Sequence, residues 1–326
     1  MSDTGTPMGE TTTGTTDAAT GGAAETAGGG AAEAAGGGAA GGGRALVLGA
    51  GGLVGAAWEV GVLHGLAEAG VDLSGADLVV GSSAGAVVGA LLTAGIPLSE
   101  LYGRQLDGTD AEPAVRFGAG TLLRYTLAVL TSRTPEAYGR KLGRLALGAR
   151  TVDEATRRAT VAKRLGDLTD WPAAGRLRIT AVDAESGALG VFDGAKDAGG
   201  ETVGLVDAVT ASCAIPGAWP PASLLGRRWI DGGIHSTANA HLAAGRRRVV
   251  VVAPTAMGNK VVHAPSRQAA DLIAGGARVK VITPDADAKA VLGARALDPA
   301  QRGAAARAGH AQAAAHARSV AAVWAG

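Results

Sequence analysis

Two short stretches hold residue types that can do nucleophilic chemistry together. Residues 79–86 read VVGSSAGA, framing Ser83 as Gly-x-Ser-x-Gly between Gly81 and Gly85, and residues 230–234 read IDGGI, placing Asp231 ahead of Gly232 and Gly233. A serine hydroxyl at its ordinary pKa is a poor nucleophile and needs an adjacent base, a role open to Asp231. A third stretch, GAGGLVG at residues 49–55, offers backbone N–H groups unobstructed by side chains, suited to hold the negative charge that builds on an attacked carbonyl. Nucleophile, base and oxyanion hole are the parts of acyl transfer.

Such patterns also arise by chance. With 53 glycines in 326 residues, a shuffled chain would contain Gly-x-Ser-x-Gly roughly 0.3 times and Asp-Gly-Gly roughly 0.5 times, so structural context must decide. After Arg44 the chain reads ALVLG, a buried strand, then a glycine turn and a helix whose Val60, Leu63, Leu66 and Ala67 recur at helical spacing up to Gly70. ADLVVG is the next strand and AGAVVGALLTAG the next helix. This order predicts a mostly parallel central sheet with helices on both faces, an α/β fold. Residues 97–170 read as a helical insertion covering one end of the sheet, and RLRITAVDAESGALGVF as a strand hairpin. A short helix ending at Pro216, a strand in RRWIDGG, strands in RRVVVVAP and ARVKVITPD, and an Ala-rich helix from about Asp298 complete the chain. Ligands in open α/β sheets bind beyond the carboxyl ends of the strands, and all three glycine turns follow a predicted strand there. Ser83 on a sharp strand-to-helix turn needs small neighbours, which Gly81 and Gly85 supply, and the helix N-terminus favours negative charge beside it.

Composition narrows the setting. Residues 1–43 hold Gly, Ala, Thr and a few acids but no Lys or Arg, a composition expected to stay disordered, without the basic and leucine-rich regions of a secretory signal. Residues 44–326 are then expected to form one domain, with 30 basic against 24 acidic residues. That mild excess suits an anionic surface, while the 3% aromatic content argues against stacking platforms for nucleic acid. Arg246–Arg248 read as a solvated approach to a strand. Cys213 is the only cysteine and is expected to pack as a small hydrophobe. No metal-ligand spacing or calcium loop shows, so the expected reaction needs no cofactor and survives chelators. Without a membrane-spanning apolar run, the expected location is cytoplasmic, peripheral at the membrane at most.

In this order and spacing, GAGGLVG, GSSAG, ASCAIPGAWPP and IDGGIHSTANA resemble the patatin-like phospholipases, and VKVITPDADAKAVLG is similar to bacterial members. The resemblance covers most of residues 45–250. It implies a patatin-like three-layer fold and hydrolysis of acyl esters, often lipids, by a Ser–Asp dyad without histidine. By position Ser83 is the nucleophile and Asp231 the base, with an oxyanion hole from Gly51 and Gly52 and with Gly55 closing the turn. The implied partners are a lipid or acyl-ester substrate and, transiently, a membrane surface, with no nucleic acid. Two departures stand out: Ala50 occupies the first glycine of the family's Gly-x-Gly-x-x-Gly loop, and Val54 stands where many members carry a basic residue. Both leave the backbone donors in place and bear on head-group preference.

Three other readings fit parts of the chain. Gly49-Ala50-Gly51 opens like a dinucleotide fingerprint, but the sixth position is Val54, and Asp72 sits in what reads as a loop. An α/β-hydrolase triad is formally available, because His235, His241, His263, His310 and His316 follow Asp231. That fold, however, places more strands between the oxyanion loop and a serine that here follows about 30 residues later. His235, nearest to Asp231, is expected to be a surface or structural histidine. A non-catalytic lipid- or protein-binding module on the same scaffold is disfavoured because Ser83 and Asp231 are both retained.

Overall fold

The computed structural model describes residues 43–108, 115, 117–166, 168–172, 175–197, 199–293 and 295–325. The expectation of disorder over residues 1–43 falls outside them except at its last residue.

Among the described residues the apolar runs form the centre of one eight-stranded sheet. β1 (Arg44–Leu48), β2 (Leu78–Ser82), β3 (Leu177–Asp183), β7 (Arg248–Val252) and β8 (Arg278–Ile282) are parallel, in the order β3-β2-β1-β7-β8. Strands buried on both faces read as continuous Val/Leu/Ile runs, as here. β4 (Leu189–Phe192) returns antiparallel on β3, completing the expected hairpin. β6 (Arg227–Asp231) also lies antiparallel to β3, and β5 (Ala222–Leu224) closes that edge. Leu225 and Gly226 join β5 to β6, both at positive φ (52° and 68°), the geometry of a two-residue turn matched to strand twist.

Side chains alternate between two cores. Leu46 and Leu48 of β1 join a cluster with α1 (Gly52–Glu68), α2 (Ala84–Thr93), α3 (Leu98–Asp107), α6 (Glu154–Leu165), α7 (Leu205–Ser212) and α10 (Arg302–Trp324). Ala45 and Val47 point the other way, toward Leu272 of α8 (Pro265–Ala274). On that second face α4 (Ala119–Thr131) and α5 (Pro135–Leu147) pack on Val182 and Ile230. A seven-residue helix, α9 (Ala286–Leu292), precedes α10. The fold is thus α/β with three layers. The helices between β2 and β3 do not cover one end as a single insertion; they divide between the two faces, because α3 and α6 find apolar partners on one core and α4 and α5 on the other.

Candidate active site

Ser83 lies where β2 ends and α2 begins, with its backbone at φ 54° and ψ −112°. A side-chain-bearing residue held there stores on the order of 1–3 kcal/mol of strain. Its neighbours must be glycine for steric reasons: a Cβ on Gly81 would sit 2.5 Å from the Gly85 carbonyl oxygen, and a Cβ on Gly85 would overlap the Leu48 carbonyl of β1. The Ser83 N–H donates to Ser212 Oγ at 2.8 Å, and Cys213 Sγ donates to the Ser83 carbonyl at 3.3 Å. The end of α7 therefore clamps the strained turn, and buried Cys213 does more than fill space.

Asp231 ends β6 opposite Ala181, and Ser82 ends β2 opposite Thr180. That register sets Asp231 level with Ser83 across β3. It reaches this level from an antiparallel strand, so the rule that sites lie beyond the carboxyl ends of parallel strands places only the first two glycine turns; β6 comes in from the opposite direction. Ser83 is 3% exposed and Asp231 4%. Asp231 Oδ1 accepts from the Gly233 N–H at 2.8 Å, while Oδ2 carries no hydrogen bond of normal geometry. The Ser83 hydroxyl is close enough to the carboxylate to favour its charged form. Burial pushes the Asp231 pKa from 3.8 to about 6, against the opposing pull of Ser83, the Gly233 N–H and the Arg157 charge.

The first glycine turn meets the other two. Gly85 N–H donates to the Gly49 carbonyl at 3.1 Å and Ala50 N–H to the Thr237 carbonyl at 2.7 Å, while a Cβ on Gly233 would lie 2.6 Å from the Ala50 methyl. Gly232 opens a 3-10 turn, Gly232–Ile234, that carries the chain away from the carboxylate. Helix α1 starts at Gly52, within the stretch read from sequence as a loop, with Gly51 as its N-cap. Val54 N–H donates to the Ala296 carbonyl and Gly55 N–H to the Gly51 carbonyl, both at 3.0 Å. Gly55 thus closes the turn, and the N–H groups of Gly51, Gly52 and Leu53 have no acceptor among the described residues.

Ser83 opens into a cleft whose apolar wall includes Leu53, Val60, Val87, Val88, Leu91 and Trp219. Arg104, Arg157, Arg164 and Arg302 also line it. The Arg157 guanidinium lies over the Trp219 ring, 4.0 Å from its centroid, a cation–π contact that orients it. No residue of α4 lines this cleft.

Sequence reasoning missed two contributors. Asn239, fully buried at φ 53°, donates from Nδ2 toward Ser82 Oγ (2.9 Å), Thr180 Oγ1 (3.2 Å) and the carbonyls of Gly232 and Ser236 (both 3.1 Å). It ties the serine strand to the aspartate turn, and its only sequence signal is its place in IDGGIHSTANA. Arg157 carries no signal, since EATRRATVAKRL reads as an ordinary charged helix. His235 engages Asn239 Oδ1 through Nδ1 at 3.1 Å, and among the described residues no histidine hydrogen-bonds to Ser83 or Asp231. Asp72 accepts from the Ser74 N–H and hydroxyl, both at 2.8 Å, as a loop-capping residue.

The family model of the patatin-like phospholipases matches residues 46–244, and the chain belongs to that family, which makes it a lipid ester hydrolase. Solved structures similar to it include VipD from Legionella pneumophila, at 14% identity and TM-score 0.43, covering 85% of this chain and 67% of that one. Another is the type III effector protein ExoU, at 16% identity and TM-score 0.38, covering 86% of this chain and 53% of that one, so this chain spans about half of ExoU's length. No curated protein sequence matches it. Among the described residues no helix is long and apolar enough to cross a membrane.

Proposed function

We propose that the protein hydrolyses lipid acyl esters through a Ser83–Asp231 dyad. Ser83 Oγ attacks the ester carbonyl as its proton passes to Asp231 Oδ2. The tetrahedral oxyanion accepts from the N–H groups at Gly51, Gly52 and Leu53, assisted by the positive end of α1. Collapse expels the alcohol, which takes the proton from Asp231. A water deprotonated by Asp231 then attacks the acyl-enzyme, releasing the fatty acid and restoring Ser83. The observation that carries this reading is a serine held at φ 54° on a helix N-terminus, facing a buried carboxylate with one unpartnered oxygen.

The cleft suggests how a substrate lies. An acyl chain fits the wall of Leu53, Val87, Val88 and Leu91, while Arg104, Arg157, Arg164 and Arg302 favour an ester with an anionic group nearby. The membrane contact is proposed for α4. Leu122, Leu123, Leu127 and Leu130 are 54%, 59%, 48% and 63% exposed, and residues 119–150 hold six basic side chains against Glu136 alone. An apolar helix face ringed by cations suits an anionic bilayer surface. On its inner side, Tyr125 donates to the Pro216 carbonyl at 2.9 Å, next to Ile215 of the cleft wall. A bilayer gripped by α4 would therefore lie close to the cleft, with the protein peripheral to a cytoplasmic membrane face.

Labelling with a fluorophosphonate probe and mass mapping tests the dyad. The expected adduct is on Ser83, lost in Ser83→Ala. An unlabelled but folded protein would refute an activated serine.

A further inference from the structure

We infer that the seam between α1 and α10 carries a divalent transition-metal site built from His64, Glu68 and His310. Among the described residues their donor atoms form a convergent group, all within 4.8 Å of one another. His64 and Glu68 stand one helical turn apart on the same face of α1, and His310 meets them from α10. The group is separate from the candidate dyad: His64 is 12 residues beyond Gly52, about 18 Å along the helix.

The geometry suits a small cation. Zinc binds imidazole nitrogen and carboxylate oxygen at about 2.0–2.2 Å, so tetrahedral ligand atoms lie roughly 3.3 Å apart. His64 Nε2 and Glu68 Oε1 are already at 3.3 Å. His310 Nε2 is 2.6 Å from the other carboxylate oxygen, Glu68 Oε2, so the carboxylate stands between the two imidazoles, and as an exposed side chain it can turn one oxygen toward both. The frame around them is rigid. A Cβ on Gly65 would lie 2.7 Å from the Ala313 methyl and 2.8 Å from the His310 carbonyl, so the helices touch with no room to shear. The Tyr102 ring of α3 packs against both imidazoles at a tilt of 34°, with centroids 4.7 Å from His64 and 5.3 Å from His310, which restrains their planes. Two imidazoles and one carboxylate, with water completing the shell, select Zn²⁺ or its neighbours Co²⁺ and Ni²⁺ over Ca²⁺ and Mg²⁺, which demand oxygen. Such an ion would staple α10, and with it Arg302 of the cleft wall, to α1. Sequence could not show the site, because His310 lies 242 residues from Glu68.

The test uses untagged full-length protein freed of metal by chelator. Co²⁺ is expected to bind at one equivalent with the visible d–d bands of a tetrahedral nitrogen–oxygen site. Zn²⁺ at about 100 times its dissociation constant is expected to raise Tm by roughly 5–10 °C. Glu68→Gln, an exposed near-isosteric change, and His310→Ala should both abolish the bands and the Tm rise, while His263→Gln keeps them. Ester hydrolysis should be the same in Glu68→Gln and with chelator present, which separates this site from the dyad. Absence of bands and of any Tm shift would overturn the inference, leaving Glu68 as a plain acceptor between two imidazoles. Binding that survives Glu68→Gln would overturn it as well, by placing the ion elsewhere on the protein.

Discussion

Replacing Asp231 by Asn should stabilise the protein while abolishing hydrolysis, and one number governs both effects. Burial raises the Asp231 pKa from 3.8 to about 6, so the folded state holds the proton more tightly than the unfolded chain. The sign follows. Below pH 3.8 the carboxyl is protonated in both states and costs nothing. Between 3.8 and 6 the unfolded chain releases its proton first, and stability falls as pH rises. Above 6 the penalty is complete, at about 3 kcal/mol for a shift of this size. Asparagine never ionises and keeps an oxygen for the Gly233 N–H. Asp231→Asn is therefore expected to gain up to about 3 kcal/mol at pH 7.5, or roughly 6–12 °C in Tm, relative to its difference from wild type at pH 3.5.

The same ionisation should control turnover. A base acts only when deprotonated, so kcat/KM on a soluble short-chain ester should rise with pH along a limb centred near 6. Thermal unfolding at a series of pH values for both proteins, beside the wild-type pH–rate profile, gives two independent readings of one group. A stability difference flat from pH 3.5 to 7.5, or an activity limb near 4, would refute the argument, because either result means that Asp231 is not buried beside the serine as described.

Ser83→Ala should cut hydrolysis on the order of 10⁶-fold, and Ser83→Gly should do the same while gaining about 1 kcal/mol in urea unfolding by relieving the positive φ. A Ser83→Gly variant less stable than wild type would argue against backbone strain. Asn239→Ala is expected to cost about 2–4 kcal/mol, since it leaves Ser82, Thr180 and two carbonyls short of a buried donor, and to lower kcat more than it raises KM. Leu123→Glu with Leu127→Glu should abolish co-sedimentation with anionic vesicles and slow vesicle hydrolysis, with turnover of a soluble ester unchanged; equal loss on both substrates would remove the membrane role of α4.

The parts of the candidate site legible in sequence are those where backbone contact demands glycine. A Cβ on Gly81 would meet the first turn of α2, and one on Gly85 or Gly233 another chain segment, and such positions leave a trace in composition that survives without a structure. The polar supports leave none. Ser212, Asn239 and Arg157 act through contacts spanning many tens of residues, and each is a common residue in an unremarkable local pattern. The boundary of α1 was hidden for a related reason: glycines that read as a loop form its first turn, because the helix is held by packing on the sheet and α10 rather than by local propensity.

Strand direction was the deeper gap. An apolar run such as RRWID predicts a strand but has the same pattern whichever way it points, so a carboxylate at its end can lie at either edge of the sheet. What decides is connectivity. The turn at Leu225–Gly226, with both residues at positive φ, folds β6 back along β5 and sends it antiparallel to β3, and the Ala181–Asp231 register then stops the strand at the level of Ser83. A parallel β6 would have required a crossover, which the short segment after α7 cannot supply. The hairpin thus does for Asp231 what the strand-to-helix turn does for Ser83. A one-residue slip in its register would turn the carboxylate to the opposite face of the sheet, which makes the β5–β6 turn as consequential for the site as the glycines that advertise it.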